Sequence, residues 1–474
     1  MRRVVLTAIV AALLVLLGSA GLARVDGGVV RVARTVDGLP VELARPAGAD
    51  GPLPAVVIAH GYAGSARLMR GFSDTLVRRG YVVALLDFTG HGADPHRLPA
   101  SGTAGAWDAV LQRDLGKAVG LVRSLPMVDP QRVALVGHSM GAGAVATFAG
   151  HDPSIRATVA ISLGIEGFGT PRDLLVIYGG LEFPGFRTAA RDALDSGAAR
   201  RVVEVPGVEH ISVLFSGRTH RETGDWLDAA LGGGGDGAAV RPRDRLVPGA
   251  LLLLGAVLGL LLPARLLRPV AAAAVPAAAA DGPAAWWWTV VAMPVAVLGG
   301  RLFGWLPLAV GNYAAGYFLL IGVVLLAARR ARPPLVAASR WWPLLLVYAV
   351  AAVAVPIHLA LTHAVPVGDR WWLLPVVTLC CAVFLFGAET ASGGRIGRHA
   401  LMLALAAGGL MAAAMVGVAP GFVVLVVPLL VVLLAWQAAW AAVLRRRGAP
   451  AWLIAVLGAV VLAWPLATAL PVAA

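Results

Sequence analysis

The sequence predicts two regions of different class: an α/β domain built on a doubly wound, mostly parallel sheet, then an all-α multi-pass membrane domain. Three observations carry this. Between residues 29 and 231, short β-rich runs alternate with amphipathic helical stretches, the pattern of an α/β domain. From residue 246 onward the chain is almost continuously apolar, in runs long enough to cross a bilayer. Hydrophobic residues make up 59% of the 474 residues and charged residues only 14%. The mean hydropathy of +0.80 is beyond that of an ordinary soluble protein.

Charge and cysteine use narrow the function classes. The net charge of +13 is almost all arginine, with Lys117 the only lysine. No basic stripe interleaved with aromatics appears, so nucleic acid is not an expected partner. Most arginines instead sit where membrane topology calls for them. Cys380 and Cys381 are adjacent inside an apolar run, which offers neither a disulfide framework nor a Cys/His metal spacing. No metal or organic cofactor is expected.

Taken in order, residues 1–23 begin with Arg2 and Arg3 and then run apolar. They read as a signal anchor or a signal peptide, Gly21 and Ala23 offering a small-x-small cleavage site. In the α/β domain (29–231) the expected strands are 29–33, 41–44, 55–59, 82–87, 132–136, 157–161, 174–178 and 202–205. The expected helices are 65–79, 106–124, 140–149, 186–196 and 218–231. Residues 232–245, opening on a glycine run and rich in arginine, read as a linker. The membrane domain (246–470) holds about eight candidate spans: 246–262, 284–300, 305–328, 341–361, 371–390, 400–418, 421–443 and 451–470. The span at 284–300 is the weakest, because Pro294 interrupts it and the turn after it is short.

Arginine also sets orientation. With Arg2 and Arg3 cytoplasmic, the α/β domain falls outside the cell membrane and the loops then alternate. Those at Arg265/Arg268, Arg329–Arg332/Arg340, Arg395/Arg398 and Arg445–Arg447 fall inside, and only Arg301 and Arg370 fall outside. Arg241, Arg243 and Arg245 count against this order, since they lie just outside the first C-terminal span.

The chemistry-bearing stretch is 131–144, QRVALVGHSMGAGA. A strand, a tight turn and a helix start frame Ser139 in a G-x-S-x-G pattern. Side chains two before and two after the serine would collide with neighbouring backbone, which accounts for Gly137 and Gly141. The serine also stands at a helix N-terminus, where backbone N–H groups favour negative charge.

A serine alcohol needs a positioned base. Among histidines after Ser139 in this domain, only His210 (VPGVEH) follows a strand end. His151 ends the helix after the serine, His220 lies within the last helix, and His138 reads as a residue that shapes the turn. His60 and His91 read as loop-shaping groups.

These segments resemble the α/β-hydrolase family, in its dienelactone hydrolase and serine peptidase/lipase-like branches. The residues that carry the likeness are HGY at 60–62, DFTGHG at 87–92, VDPQRVALVGHSMG at 128–141, and the segments around Glu182 and His210. The likeness covers about 200 of the 474 residues. It implies an acid between serine and histidine in chain order, just past a strand, and Glu182 holds that place. Glu166 is the second candidate, while Asp173 lies at the wrong end of its strand. The likeness also implies an oxyanion hole from the backbone N–H groups of Met140 and Tyr62. Residues 162–173 leave no room for a large lid, so an open site is expected, bordered by the loop 88–107. A small-molecule or lipid-like acyl substrate follows.

In the membrane half, Asn312, His358, His363, Glu389 and Gln437 are the polar residues within or beside spans. For His363 and Glu389 interfacial solvation is the expected account, and the half as a whole reads as an anchor or scaffold. The leading expectation is a membrane-anchored serine hydrolase cleaving an ester, thioester or amide. An acyltransferase with the same three residues, and a transporter or receptor with a binding module, are the alternatives.

Overall fold

The computed structural model describes residues 2–49, 51–99, 105–164, 168–233, 242–267, 286–328 and 338–474. The chain forms two compact units. The first comprises Leu17–Ala250 together with His358–Gly368 and Pro471–Ala474; the second comprises Met1–Leu16, Leu251–Ile357 and Asp369–Leu470.

The first unit is built on an eight-stranded mixed sheet of order β1-β2-β4-β3-β5-β6-β7-β8. The strands are β1 (Val29–Val36), β2 (Leu39–Pro46), β3 (Leu53–Ala59), β4 (Val82–Leu86), β5 (Val128–His138), β6 (Ala157–Ile161), β7 (Leu174–Gly179) and β8 (Arg201–Val205). β1 and β2 form a hairpin at the edge, and β2 runs antiparallel to β4. All remaining pairs are parallel. The hairpin turns on Asp37-Gly38, both at positive φ (47° and 84°), as a two-residue Asp-Gly loop requires. The inner strands are near-continuous Val, Ala, Leu and Ile because helices cover both of their faces.

On one face α2 (Arg70–Arg78) and α6 (Gly217–Leu231) bury Phe72, Leu76, Leu227 and Leu231 against Val56, Ile58, Val136 and Ile177. On the other face α3 (Ala106–Ser124) and α4 (Met140–His151) bury Leu115, Val119, Val122 and Val145 against Val57, Leu86 and Leu135. α5 (Pro184–Asp195) packs Ala190 and Ala193 beside Ala142 and Ala146 of α4. The sheet is therefore doubly wound, as the alternating pattern requires.

One helix differs from its sequence pattern. α2 starts at Arg70 rather than at residue 65, because 65–70 is a run of i→i+3 turns. The amide of Ala66 is instead committed to the Asp87 carboxylate at 2.7 Å.

Charge is buried at the margin of this unit. Arg245 donates to Asp74 (Nε to Oδ2, 2.9 Å) and to Asp26, while Arg31 pairs with Asp74 and lies 3.3 Å from Glu42. Arg70 Nε reaches the same Glu42 at 2.9 Å. Of the three arginines that stood against the topological pattern, Arg245 is thus committed to carboxylates.

The second unit carries most of the apolar helical residues, with helical residues 17–26, 243–250 and 358–360 counting with the first. α1 (Arg2–Asp26) begins the chain, and α7 to α14 follow the linker: Arg243–Gly259, Trp287–Gly299, Gly311–Ala327, Trp342–Ala360, Arg370–Ala391, Ile396–Met415, Val423–Arg446 and Ala451–Ala469. Seven segments among the described residues are long and apolar enough to cross a membrane: Val5–Asp26 and six of those after the linker. α8 and α9 are apolar but shorter. α8 stops where the chain tightens into a 3₁₀ turn at Gly300–Phe303, and α9 starts only at Gly311, after Val310 at φ 64°.

Inside this unit Glu389 is 5% exposed, so interfacial solvation does not accommodate it. The Arg445 guanidinium grips both carboxylate oxygens, and His399 Nδ1 stands 3.5 Å away. His399 Nε2 in turn lies 3.1 Å from Gln437 Oε1. These four side chains from α11, α12 and α13 form one polar connection across the helices.

Candidate active site

Ser139 sits between β5 and α4 at φ 54°. The turn is as tight as the pattern predicts. A Cβ on Gly137 would lie 2.2 Å from Gly141 O, and one on Gly141 would lie 2.6 Å from both Ala59 O and His60 O. Substitution at either position would force backbone apart. The Ser139 amide donates to Ile161 O at 2.8 Å, which fixes the turn to β6 and leaves the side chain directed outward.

His210 arrives on the loop after β8. Glu209 shapes that loop, its carboxylate accepting from the amides of Ile211 (2.9 Å) and Ser212 (2.7 Å). His210 Nε2 lies 2.9 Å from Ser139 Oγ, and the residue is buried. Phe186 closes one side, with its ring centroid 4.6 Å from that of His210.

Glu182 follows β7. Its Oε1 accepts from Ser162 Oγ at 2.6 Å and from the Gly179 amide at 3.0 Å. Its Oε2 faces His210 Nδ1 at 3.6 Å, longer than a hydrogen bond, and neither atom has another hydrogen-bond partner among the described residues. The side chains of this pair are 1% and 4% exposed, so water does not screen them. Acid and base loops are stitched together, Gly180 N donating to Val205 O (2.8 Å) and Leu181 N to Val208 O (3.0 Å). The structure therefore brings Ser139, His210 and Glu182 together in the order serine, imidazole, carboxylate. Glu166, the other acid considered, lies outside the described residues.

The two oxyanion candidates named from the sequence, Met140 and Tyr62, belong to segments that border the serine. Met140 opens α4, whose first-turn amides have no partner within the helix. Tyr62 follows Gly61, where a Cβ would lie 3.1 Å from Ser139 Cβ and 2.8 Å from His138 Nδ1. The loop at 60–62 thus runs against the serine. The Tyr62 ring stacks on Trp107 at 6.0 Å and meets His91 edge-on at 5.8 Å. Burial raises its phenol above the ordinary range.

The other histidines lie apart from the proton path. Burial pushes His60 down to about 4, so it is neutral. Its Nε2 accepts from the Phe88 amide (3.1 Å), which leaves Nδ1–H to donate to Gly61 O (2.7 Å). His138 is pushed to about 3, first by burial and then by His210 beside it. It donates Nε2–H to the His210 carbonyl at 2.9 Å, so it holds the base loop rather than only the turn. His220 is buried on Phe72 with its ring held by Leu214 O and Thr75, and His151 is exposed at the end of α4.

Sequence reasoning did not single out Ser162. It stands at φ 58° just past β6, its amide on Ile177 O at 2.7 Å and its hydroxyl on Glu182. Its place at a strand end facing the acid loop was the available signal. No helical lid occurs between β6 and β7 among the described residues, and no cluster of His, Cys, Asp or Glu there could hold a metal ion.

Comparison with known proteins bears on the region just described. Residues 50–166 match the family described as Serine aminopeptidase, S33. Over 120 residues, 24% of this chain, the sequence is 28% identical to the quorum-quenching protein AidA of Acinetobacter baumannii. The match spans only 37% of that relative's length. Among solved structures, a dienelactone hydrolase from Anabaena variabilis is similar over 43% of this chain and 99% of its own, at 20% identity and a TM-score of 0.34. A putative dienelactone hydrolase from Klebsiella pneumoniae is similar over 43% and 98%, at 19% identity and a TM-score of 0.35. With its mixed sheet, its sharp serine turn and the family match over 50–166, the N-terminal part of the chain is an α/β-hydrolase-like domain, and a region of apolar helices follows it.

Proposed function

We propose that the protein is a membrane-anchored serine hydrolase that cleaves an ester, thioester or amide through an acyl-serine intermediate. The observation that carries this reading is the 2.9 Å approach of His210 Nε2 to a serine hydroxyl raised on a left-handed turn. In the first half-reaction Ser139 Oγ attacks the acyl carbon as His210 takes its proton. The imidazolium then returns that proton to the leaving alcohol, thiol or amine. Glu182, buried against Nδ1, favours the imidazolium and fixes the tautomer that leaves Nε2 free to accept. Met140 and Tyr62 N–H groups stabilise the tetrahedral oxyanion, each worth about 3–4 kcal/mol in such sites. Water, deprotonated by His210, completes the second half. The chemistry calls for no metal or organic cofactor.

The acyl substrate is a small or lipid-like molecule, and the bilayer is the chain's other partner. The arginine pattern supports an extracytoplasmic site. One of its three exceptions, Arg245, is committed to Asp74 and Asp26.

The test uses the full chain in detergent and a fluorophosphonate probe. Wild type is expected to label at one site and Ser139→Ala to show none. Equal labelling of the two proteins would remove the reading.

A further inference from the structure

Two short segments at the ends of apolar helices belong to the hydrolase unit. One, His358–Gly368, comprises the end of α10 and the connection to α11; the other, Pro471–Ala474, follows α14. Each is hydrogen-bonded to a loop on the oxyanion side of the site.

Pro471–Ala474 lies along the loop after β4 as an added parallel bridge, with Ala473 beside Leu98. The Val472 amide donates to Gly90 O (2.9 Å), Leu98 N donates to Val472 O (2.9 Å), and Ala474 N donates to Leu98 O (2.8 Å). Gly90 is at φ 78°, and a Cβ there would stand 2.6 Å from Val472 O. Leu98 is fully buried and Val472 is 2% exposed. The fit is that of interior structure rather than of a loose tail.

His358–Gly368 holds the loop after β3. Thr362 Oγ1 and Ser65 Oγ are 2.8 Å apart, the His363 amide donates to Ser65 Oγ (3.2 Å), and Arg67 donates to His358 O (3.1 Å). Gly368, at φ 53°, packs where a Cβ would lie 2.4 Å from Pro95 O, so this segment also reaches the loop after β4.

The two loops so gripped are themselves one piece. Phe88 N donates to His60 Nε2, and the Asp87 carboxylate accepts from Ala66 N (2.7 Å) and Ala93 N (3.0 Å). The His91 ring lies 5.1 Å from His60 and 5.8 Å from Tyr62. Gly61, between those two, runs against Ser139. Oxyanion donors act only when placed within a few tenths of an ångström, and a displacement of about 1 Å can cost on the order of 100-fold in rate.

We infer that His358–Gly368 and Pro471–Ala474 are positioning elements of the active site, holding the Tyr62 side of the oxyanion hole against Ser139. The inference rests on the serine hydrolase reading.

The experiment uses the full chain in detergent with a soluble ester. Val472→Pro deletes the N–H that Gly90 O accepts, and Thr362→Val deletes the hydroxyl that Ser65 meets. For each, kcat should fall roughly 10- to 100-fold with KM within about twofold. The acid limb of the kcat–pH profile, set by the base, should keep its midpoint. Fluorophosphonate should still label to full stoichiometry, only more slowly. Val472→Ala and Thr362→Ser, which keep the bonding groups, should restore kcat. Unchanged kcat in both disruptive variants would overturn the inference. So would a loss matched by the fraction of protein that no longer labels. Ser139→Ala in the same assay tests the hydrolase reading separately: turnover surviving there removes that reading. Loss there beside unchanged kcat in Val472→Pro removes only this one.

Discussion

The two units each bury a glutamate beside a histidine, and they treat the pair in opposite ways. In the apolar-helix unit Glu389 is gripped at both oxygens by Arg445, with His399 at 3.5 Å and Gln437 beyond it. In the hydrolase unit no arginine among the described residues pairs with Glu182. Ser162 and the Gly179 amide hold one oxygen, and the other faces His210 at 3.6 Å. A buried carboxylate neutralised by a guanidinium is fixed in charge and serves to join helices. One held only by neutral donors keeps its charge available to the imidazole. The histidines follow suit, since His399 ends on an amide and His210 ends on a serine hydroxyl.

The same substitution at the two glutamates separates these roles. Glu182→Gln is expected to lower kcat/KM by about 10³- to 10⁴-fold, because the amide can impose the wrong imidazole tautomer. Its thermal midpoint should move little; a loss under tenfold would place the orienting acid elsewhere. Glu389→Gln should do the reverse and destabilise the detergent-solubilised protein by about 3–5 kcal/mol, since it leaves Arg445 buried without a counter-charge. Unfolding curves that superimpose on wild type would show that the pair is not what joins these helices.

The smallest expected effect concerns acid. His60, His138 and His220 are pushed down to about 4, 3 and 4, with burial the largest cause in each. Their folded values lie below the unfolded value near 6.5, so the unfolded chain takes up protons first. The stability they contribute is present above about pH 6.5 and is lost as pH falls toward 4. The melting temperature of the hydrolase unit should decline over that window, and more shallowly in Thr75→Val,His220→Phe. A flat profile between pH 6.5 and 4.5 would contradict the buried, neutral state of these rings.

Much of this was legible in the sequence, for local reasons. Strand and helix periods, the Asp37-Gly38 turn and the glycines around Ser139 are written within a few residues of where they act. Ser139, Glu182 and His210, chosen by order and strand ends, lie together because parallel strands deliver their C-terminal ends to one edge. What could not be read depends on distant partners. The turns at 65–70 replace helix because Ala66 answers to Asp87. Ser162 matters only because Glu182 folds back onto it. Glu389 looked like a residue near a span end until Arg445, 56 positions later, was seen beside it. The docking of Pro471–Ala474 on Gly90 joins positions hundreds of residues apart, and no period or motif marks it.

The backbone of Ser139 carries a meaning of its own. At φ 54° and ψ −116° it occupies a region that glycine enters freely and that costs other residues on the order of 1–3 kcal/mol. Glycine at this position would relieve that strain. Serine at this position holds a backbone that the fold by itself disfavours, and what a glycine would discard is a single hydroxyl group.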